Sequence, residues 1–194
     1  MINSKLDHCK TLEEFYTSIR SQQEEAHGDG YCAMHDTINK LAQDCKSYKE
    51  LGVHQGGTLA NALLNHNFRY VEGIDISLEK YNAKCKGLAE AHAKATQKVF
   101  KMREVDSTSI ESLGYATDML MIDSYHKAPH MTAELNRHGQ YVKRYIVAHD
   151  THQPDDQLYW ALTTWGADNG FDCMIRNQDN VGFVVMERRD TRLF

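Results

Sequence analysis

The sequence predicts an α/β protein: a doubly wound, mostly parallel sheet of seven strands with a C-terminal antiparallel hairpin and N-terminal helices. Three observations carry that expectation. From residue 48 onward, short apolar runs alternate with longer segments of helical periodicity. The first run, "YKELGV", breaks into glycines just before a helix begins. The last two runs, "FDCMIR" and "VGFVVMER", are separated only by "NQDN", a polar link short enough for a tight hairpin.

Residues 10–27 place Leu12, Phe15, Tyr16 and Ile19 on one helical face, and "HGDGY" at 27–31 is a turn. Residues 33–46 read as a second helix carrying Met34, Ile38, Leu41 and Cys45. The first strand spans 48–53 and its helix 57–66. "RYVEGIDI" (69–76) is the second strand, followed by one helix from Leu78 to Lys94. The third strand is "KVFKMREV" (98–105), and the fourth, more apolar, is "ATDMLMIDS" (116–124). A helix at 128–141, a strand "RYIVAHD" at 144–150 and a helix at 155–168 complete the alternation before the hairpin at 171–188. Pro129 and Pro154, the two prolines, each fall just beyond a strand-like run. Trp160 and Trp165 in the last helix suit core or interface better than a substrate platform. The result is a Rossmann-like sheet unit at 48–194, with the helical segment 1–47 expected to cover its site.

Composition narrows the functions. With 194 residues the chain can bury a sizeable core. It carries 22 basic and 27 acidic side chains and no basic run that would track a phosphate backbone, so no nucleic-acid partner is expected. No apolar stretch is long enough to span a membrane, and the start lacks the apolar core of a signal peptide. Five widely spaced cysteines without a C-x-x-C pair suggest reduced thiols and a cytoplasmic setting.

Sheets of this kind bind ligands beyond the carboxyl ends of their strands. A strand that enters a helix through glycines offers bare backbone and free N–H groups there. In "ELGVHQGG" the cradle is Gly52, Val53, His54, Gly56 and Gly57, with Glu50 just before it. Asp75 closes the second strand at the spacing known for a carboxylate that holds ribose hydroxyls. Aspartate after a strand is also a common helix cap or turn residue. The G-x-G-x-x-G order of nicotinamide sites and the G-K-[ST] ending of a P-loop are both absent. Glu50 disfavours pyrophosphate and suits a ligand bearing an ammonium and a sulfonium.

"ELGVHQGGTLA", "VEGIDIS", "VDSTSIESL", "DMLMIDSYH" and "YIVAHDTH", in that order, resemble the class I S-adenosylmethionine-dependent methyltransferases. The likeness is greatest to the small-molecule O-methyltransferases and the cephalosporin-hydroxylase-like group, and it covers roughly residues 48–188. It implies that Glu50, Gly52 and Gly56 line the methionine side of the cofactor and that Asp75 holds the ribose. Ile76 would pack on adenine, Asp106 and Ser107 would face its edge, and Asp123 would lie near the transferring methyl group. Val105 stands where that family often has glycine.

Asp123, His126, His149 and Asp150 end the fourth and fifth strands, which are neighbours in a doubly wound sheet. Asp123, His149 and Asp150 are the candidate ligands for Mg²⁺ or another divalent cation. His126 is the candidate general base, with His130 as an alternate, because an unperturbed imidazole titrates near neutral pH. His138 and His152 are expected at the surface. Tyr31 and His35 could close over the substrate, an expectation from the resemblance alone. The expected activity is methyl transfer to an oxygen of a small hydroxylated metabolite, in a chain that leaves room for a homodimer. A metal-dependent hydroxylase or hydrolase on the same fold, and a non-catalytic S-adenosylmethionine-binding protein, are the alternatives.

Overall fold

A computed structural model describes residues 6–28, 30–152 and 156–189. Two helices, α1 (Leu12–His27) and α2 (Ala33–Leu41), precede the sheet. Thr11 caps α1 by accepting the Glu14 N–H at 3.1 Å, which satisfies one of the helix's orphan donors. The sheet unit then runs β1 (Ser47–Leu51), α3 (Gly57–Leu64), β2 (Tyr70–Asp75), α4 (Glu79–Lys84), α5 (Lys86–Ala95) and β3 (Val99–Glu104). It continues with β4 (Thr117–Ile122), α6 (Ala128–His138), β5 (Val142–His149), α7 (Gln157–Asp168), β6 (Phe171–Asn177) and β7 (Phe183–Arg188).

The strand order is β3-β2-β1-β4-β5-β7-β6. Strands β1 to β5 are mutually parallel, and β7 runs antiparallel between β5 and β6. This is the expected Rossmann-like sheet with its terminal hairpin. The order reverses between β1 and β4, so the crevice for a ligand opens above those two strands.

Alternate strand residues serve opposite layers. Tyr48, Val71, Met119, Met121 and Val147 pack with Phe15, Ile38, Leu59 and Ala89 from α1, α2, α3 and α5. Leu51, Ile74, Leu120, Ile122 and Ile146 pack with Leu135, Leu158, Leu162 and Trp165 from α6 and α7. Each such fully buried large side chain contributes roughly 1.5–3 kcal/mol of transfer free energy. Trp165 is therefore a core residue, and its Nε1–H donates to Asn136 Oδ1 at 2.9 Å, whereas Trp160 is exposed.

Several expected boundaries move. The helix expected from Leu78 to Lys94 is broken at Cys85, whose buried thiol packs under Gly56. The second helix ends at Leu41 and continues only as a 3-10 turn, Ala42–Asp44. The hairpin link spans 178–182, longer than a tight turn, because Asn180 and Gly182 both adopt positive φ there. The expectations at Pro154 and at residue 155 lie outside the described residues.

The crossover from β3 to β4 carries only a 3-10 turn, Ile110–Ser112. Charges hold it instead of a packed helix. Glu72 lies between Lys49 Nζ (3.2 Å) and Arg103 Nη1 (3.5 Å), and Arg103 Nη1 donates to the Ser112 and Leu113 carbonyls. Burial makes it harder for Lys49 to stay charged, so its partner Glu72 is essential to the arrangement. Among the described residues no helix is long and apolar enough to cross a membrane. All five cysteines are free thiols.

Candidate active site

The turn after β1 is built on left-handed backbone: φ is +86° at Gly52, +50° at His54 and +90° at Gly56. A Cβ on Gly52 would run into the Asp123 carbonyl, so only glycine lets the loops after β1 and β4 touch. A Cβ on Gly56 would sit 3.0 Å from Cys85 Sγ. Gly56 thus packs behind the turn, while Gly52, Val53, His54 and Gly57 face a cavity of about 770 Å³. That volume suits a cofactor-sized ligand.

Asp75 staples this turn. Its Oδ2 accepts the Val53 N–H (2.7 Å) and the His54 N–H (2.8 Å), and its Oδ1 accepts the Ser77 N–H (3.1 Å). A carboxylate offers about four lone-pair positions, so capacity remains toward the cavity that Asp75 lines. Ile76 beside it is 75% exposed. Asp106 also lines the cavity, and its Oδ1 accepts the N–H and hydroxyl of Thr108.

The cavity walls are acidic. Glu50, Asp75, Asp106, Asp123 and Asp150 line it with five histidines, and among the described residues no lysine or arginine does. Glu50 is buried, and Tyr48 donates its hydroxyl to Oε2 at 2.6 Å. Burial, with Asp123 and Asp75 nearby, pushes the Glu50 carboxyl well above its usual range.

At the other end of the cavity, His126 lies between two aspartates. Its Nε2 is 3.2 Å from Asp123 Oδ1 and its Nδ1 is 2.6 Å from Asp150 Oδ2. Those two contacts raise His126 to about 10 despite partial burial. Burial would raise Asp123, but His149 and His126 hold it at about 2. Asp150 sits at φ +54°, a left-handed conformation that aspartate tolerates better than most residues.

The ligand atoms of Asp123, His126 and Asp150 all lie within 4.8 Å of one another. His149, expected with the two aspartates, adjoins this set: its Nδ1 lies 3.2 Å from Asp123 Oδ1 and 3.6 Å from Asp150 Oδ1. His126, with both ring nitrogens engaged by carboxylates, is not a free base in this arrangement.

The N-terminal segment roofs the cavity through Ile19, Gln22, Gln23, Ala26, His27 and Tyr31. Tyr31 stacks on His27 (4.3 Å between centroids) and meets His149 edge-on at 5.5 Å. His35 does not reach the cavity. It is buried below, with Nδ1 3.3 Å from the Tyr16 hydroxyl and Nε2 3.2 Å from the Thr58 hydroxyl.

Sequence reasoning missed Glu134. It lies on α6 with its side chain only 1% exposed, bonded to Ser107 and Ser124. His138, expected at the surface, is buried one turn further along, with Nε2 2.8 Å from the Ser107 carbonyl. The spacing of His130, Glu134 and His138, four residues apart each time, is the signal that could have found this stripe. His152, in contrast, is exposed as expected.

No family model matches the chain, and no curated protein matches it. Solved structures do. CalS11, a TDP-rhamnose 3′-O-methyltransferase of calicheamicin biosynthesis, is 14% identical with a TM-score of 0.65, over 97% of this chain and 92% of its own. CalS10 from Micromonospora echinaspora, an amino pentose methyltransferase with S-adenosylmethionine bound, is 11% identical with a TM-score of 0.58, over 88% and 96%. A ribosomal protein L11 methylase from Lactobacillus delbrueckii subsp. bulgaricus is 13% identical with a TM-score of 0.54, over 81% and 78%. The chain has the fold of the class I S-adenosylmethionine-dependent methyltransferases. These proteins act on a nucleotide sugar, an amino sugar and a protein, so the fold leaves the acceptor open.

Proposed function

We propose that the chain is an S-adenosylmethionine-dependent methyltransferase that methylates a hydroxyl oxygen of a small molecule. One observation carries the reading: the cavity at the glycine turn is lined by five carboxylates and, among the described residues, by no lysine or arginine. A pyrophosphate would be repelled there, whereas a sulfonium and an ammonium would be stabilised. Relatives of the fold with S-adenosylmethionine bound support the same ligand.

On this reading Glu50 receives the ligand ammonium, which would draw its carboxyl back to the ionised form. Asp75 holds the ribose hydroxyls with the lone pairs left free by the turn. Ile76 packs on the base, which covers an apolar side chain otherwise left bare beside the cavity. Asp106 and Ser107 meet the base edge, and Asp123 lies at the methyl end.

The acceptor enters at Tyr31, Tyr125 and His126, under the N-terminal segment, which acts as the site's cover. A hydroxyl is a poor nucleophile until it gives up its proton. Asp123, His126 and Asp150 would hold a divalent cation, which when bound polarises the hydroxyl and lowers its pKa. The two carboxylates suit magnesium, and the imidazole tilts the set toward zinc, manganese or iron. Without an ion, His126 is protonated at neutral pH and gives its two N–H groups to Asp123 and Asp150, which fixes those carboxylates beside the acceptor. The same cluster is what favours a metal-dependent hydrolase or hydroxylase as the second reading.

Calorimetric titration with S-adenosylmethionine, S-adenosylhomocysteine and NAD, with and without magnesium, tests the proposal. Binding of the first two and not of NAD is expected. NAD binding in their place would move the chain to another class. In turnover assays, loss on chelation assigns hydroxyl activation to an ion. If chelation is harmless and His126→Ala costs about 10²–10⁴-fold, the imidazole acts alone.

A further inference from the structure

We propose that Glu134 is a positioning residue that makes the base subsite select a 6-amino purine over a 6-oxo purine. This rests on the nucleoside reading of the cavity. Glu134 Oε1 accepts hydrogen bonds from Ser107 Oγ (2.5 Å) and Ser124 Oγ (2.7 Å), and His130 Nε2 lies 3.4 Å away. Its Oε2 is buried and without a partner among the described residues. Ser107 follows β3, Ser124 follows β4, and both line the cavity beside Asp106.

A serine hydroxyl has one proton and two lone pairs. With both protons directed at Glu134, each serine turns a lone pair to the cavity. The neighbouring Asp106 carboxylate also only accepts. A ligand atom seated against this edge must therefore be a donor. On a purine, the 6-position is where an amine and a carbonyl differ in that sense: the amine donates, while the carbonyl would set lone pair against lone pair.

The backbone of Ser107 is anchored: its carbonyl accepts from Ser112 Oγ at 2.7 Å and lies 2.8 Å from His138 Nε2. On the nucleoside reading, Asp75 and Ile76 hold the ribose and base at the end of the cavity that Asp106 and Ser107 line.

The test is calorimetric: dissociation constants for S-adenosylhomocysteine and its 6-oxo analogue, S-inosylhomocysteine, on the unaltered protein, on Glu134→Leu and on the double variant Ser107→Ala/Ser124→Ala. The unaltered protein should prefer the amine by about 10–100-fold, the value of one good hydrogen bond against one clash. Glu134→Leu keeps most of the volume but removes the oxygen that both serines share, which frees their protons for the cavity. Its preference should fall several-fold, to the part that Asp106 alone supplies, with circular dichroism showing an intact fold. The double variant should lose the same part, and it decides the matter if Glu134→Leu fails to fold. Equal binding of the two ligands by the unaltered protein would overturn the proposal, and so would a preference unchanged in the folded variants. Failure of the unaltered protein to bind either ligand would instead overturn the nucleoside reading beneath it.

Discussion

Gly52 is the position where one added carbon would do the most damage. Its backbone is left-handed, and a Cβ would strike the Asp123 carbonyl across the switch point of the sheet. Gly52→Ala should cost about 2–4 kcal/mol, seen as a fall in Tm of several degrees together with loss of S-adenosylhomocysteine binding. Gly87 in α5 is the control, since nothing lies within 4 Å of a Cβ there, and Gly87→Ala should be neutral or slightly stabilising. If the two variants melt alike, the close approach at Gly52 does not matter. Asp123 and Asp150 sit in strand-end loops, outside the apolar layers. Asp123→Asn and Asp150→Asn should melt within a few degrees of the parent while turnover drops at least 10²-fold. A large fall in Tm with activity kept in the folded fraction would make both residues structural. These positions were legible because turn glycines and strand-end acids are fixed by local spacing. That His126 meets both aspartates alongside His149 was not legible, because it depends on how the loop after β4 turns back over β5.

Helix α6 shows the same limit at the scale of an element. Its apolar side, Met131 and Leu135, follows from periodicity. On its second side, Glu134 and His138 are of types that usually face solvent. They are covered by loops from β3 and β4, which no local pattern announces. Covering them has a measurable consequence. Burial lowers His138 and His35 to about 4, against 6.5 in an unfolded chain. A depressed histidine leaves the unfolded state holding more protons, so its contribution is present above about 6.5 and is lost as pH falls toward 4. Stability should therefore decline across that window, and His138→Gln should flatten the decline when unfolding by urea is measured at several pH values. An unchanged slope would mean that His138 is protonated in the fold. The break at Cys85 was likewise invisible in sequence, since it answers to Gly56 on another element.

The molecule as a whole was the most legible scale. Seven strands and their alternation with helices follow from apolar runs and turn residues, and the parallel order follows from alternation itself. A ligand that binds the native state should stabilise all of it. S-adenosylhomocysteine at 100 times its dissociation constant should add about 2.7 kcal/mol, or roughly 5–10 °C in Tm for a chain of this size. No shift at saturating ligand would count against the cavity as its site.

The order of the strands also bears on how the chain comes into being. β1 stands between β2 and β4, and the backbone N–H groups of Lys46 and Ser47 are held by the Asp118 carboxylate, at 2.7 and 2.9 Å. A ribosome makes β1, β2 and β3 before the strand that covers β1's other edge exists. Until residues 117–122 emerge, the future centre of the sheet is an outer edge with open hydrogen-bonding groups. Nascent chains stopped near residue 105 should be cut readily by protease and bound by chaperones, and chains carried past β4 should resist both. Synthesis thus leaves the middle of this protein exposed longest.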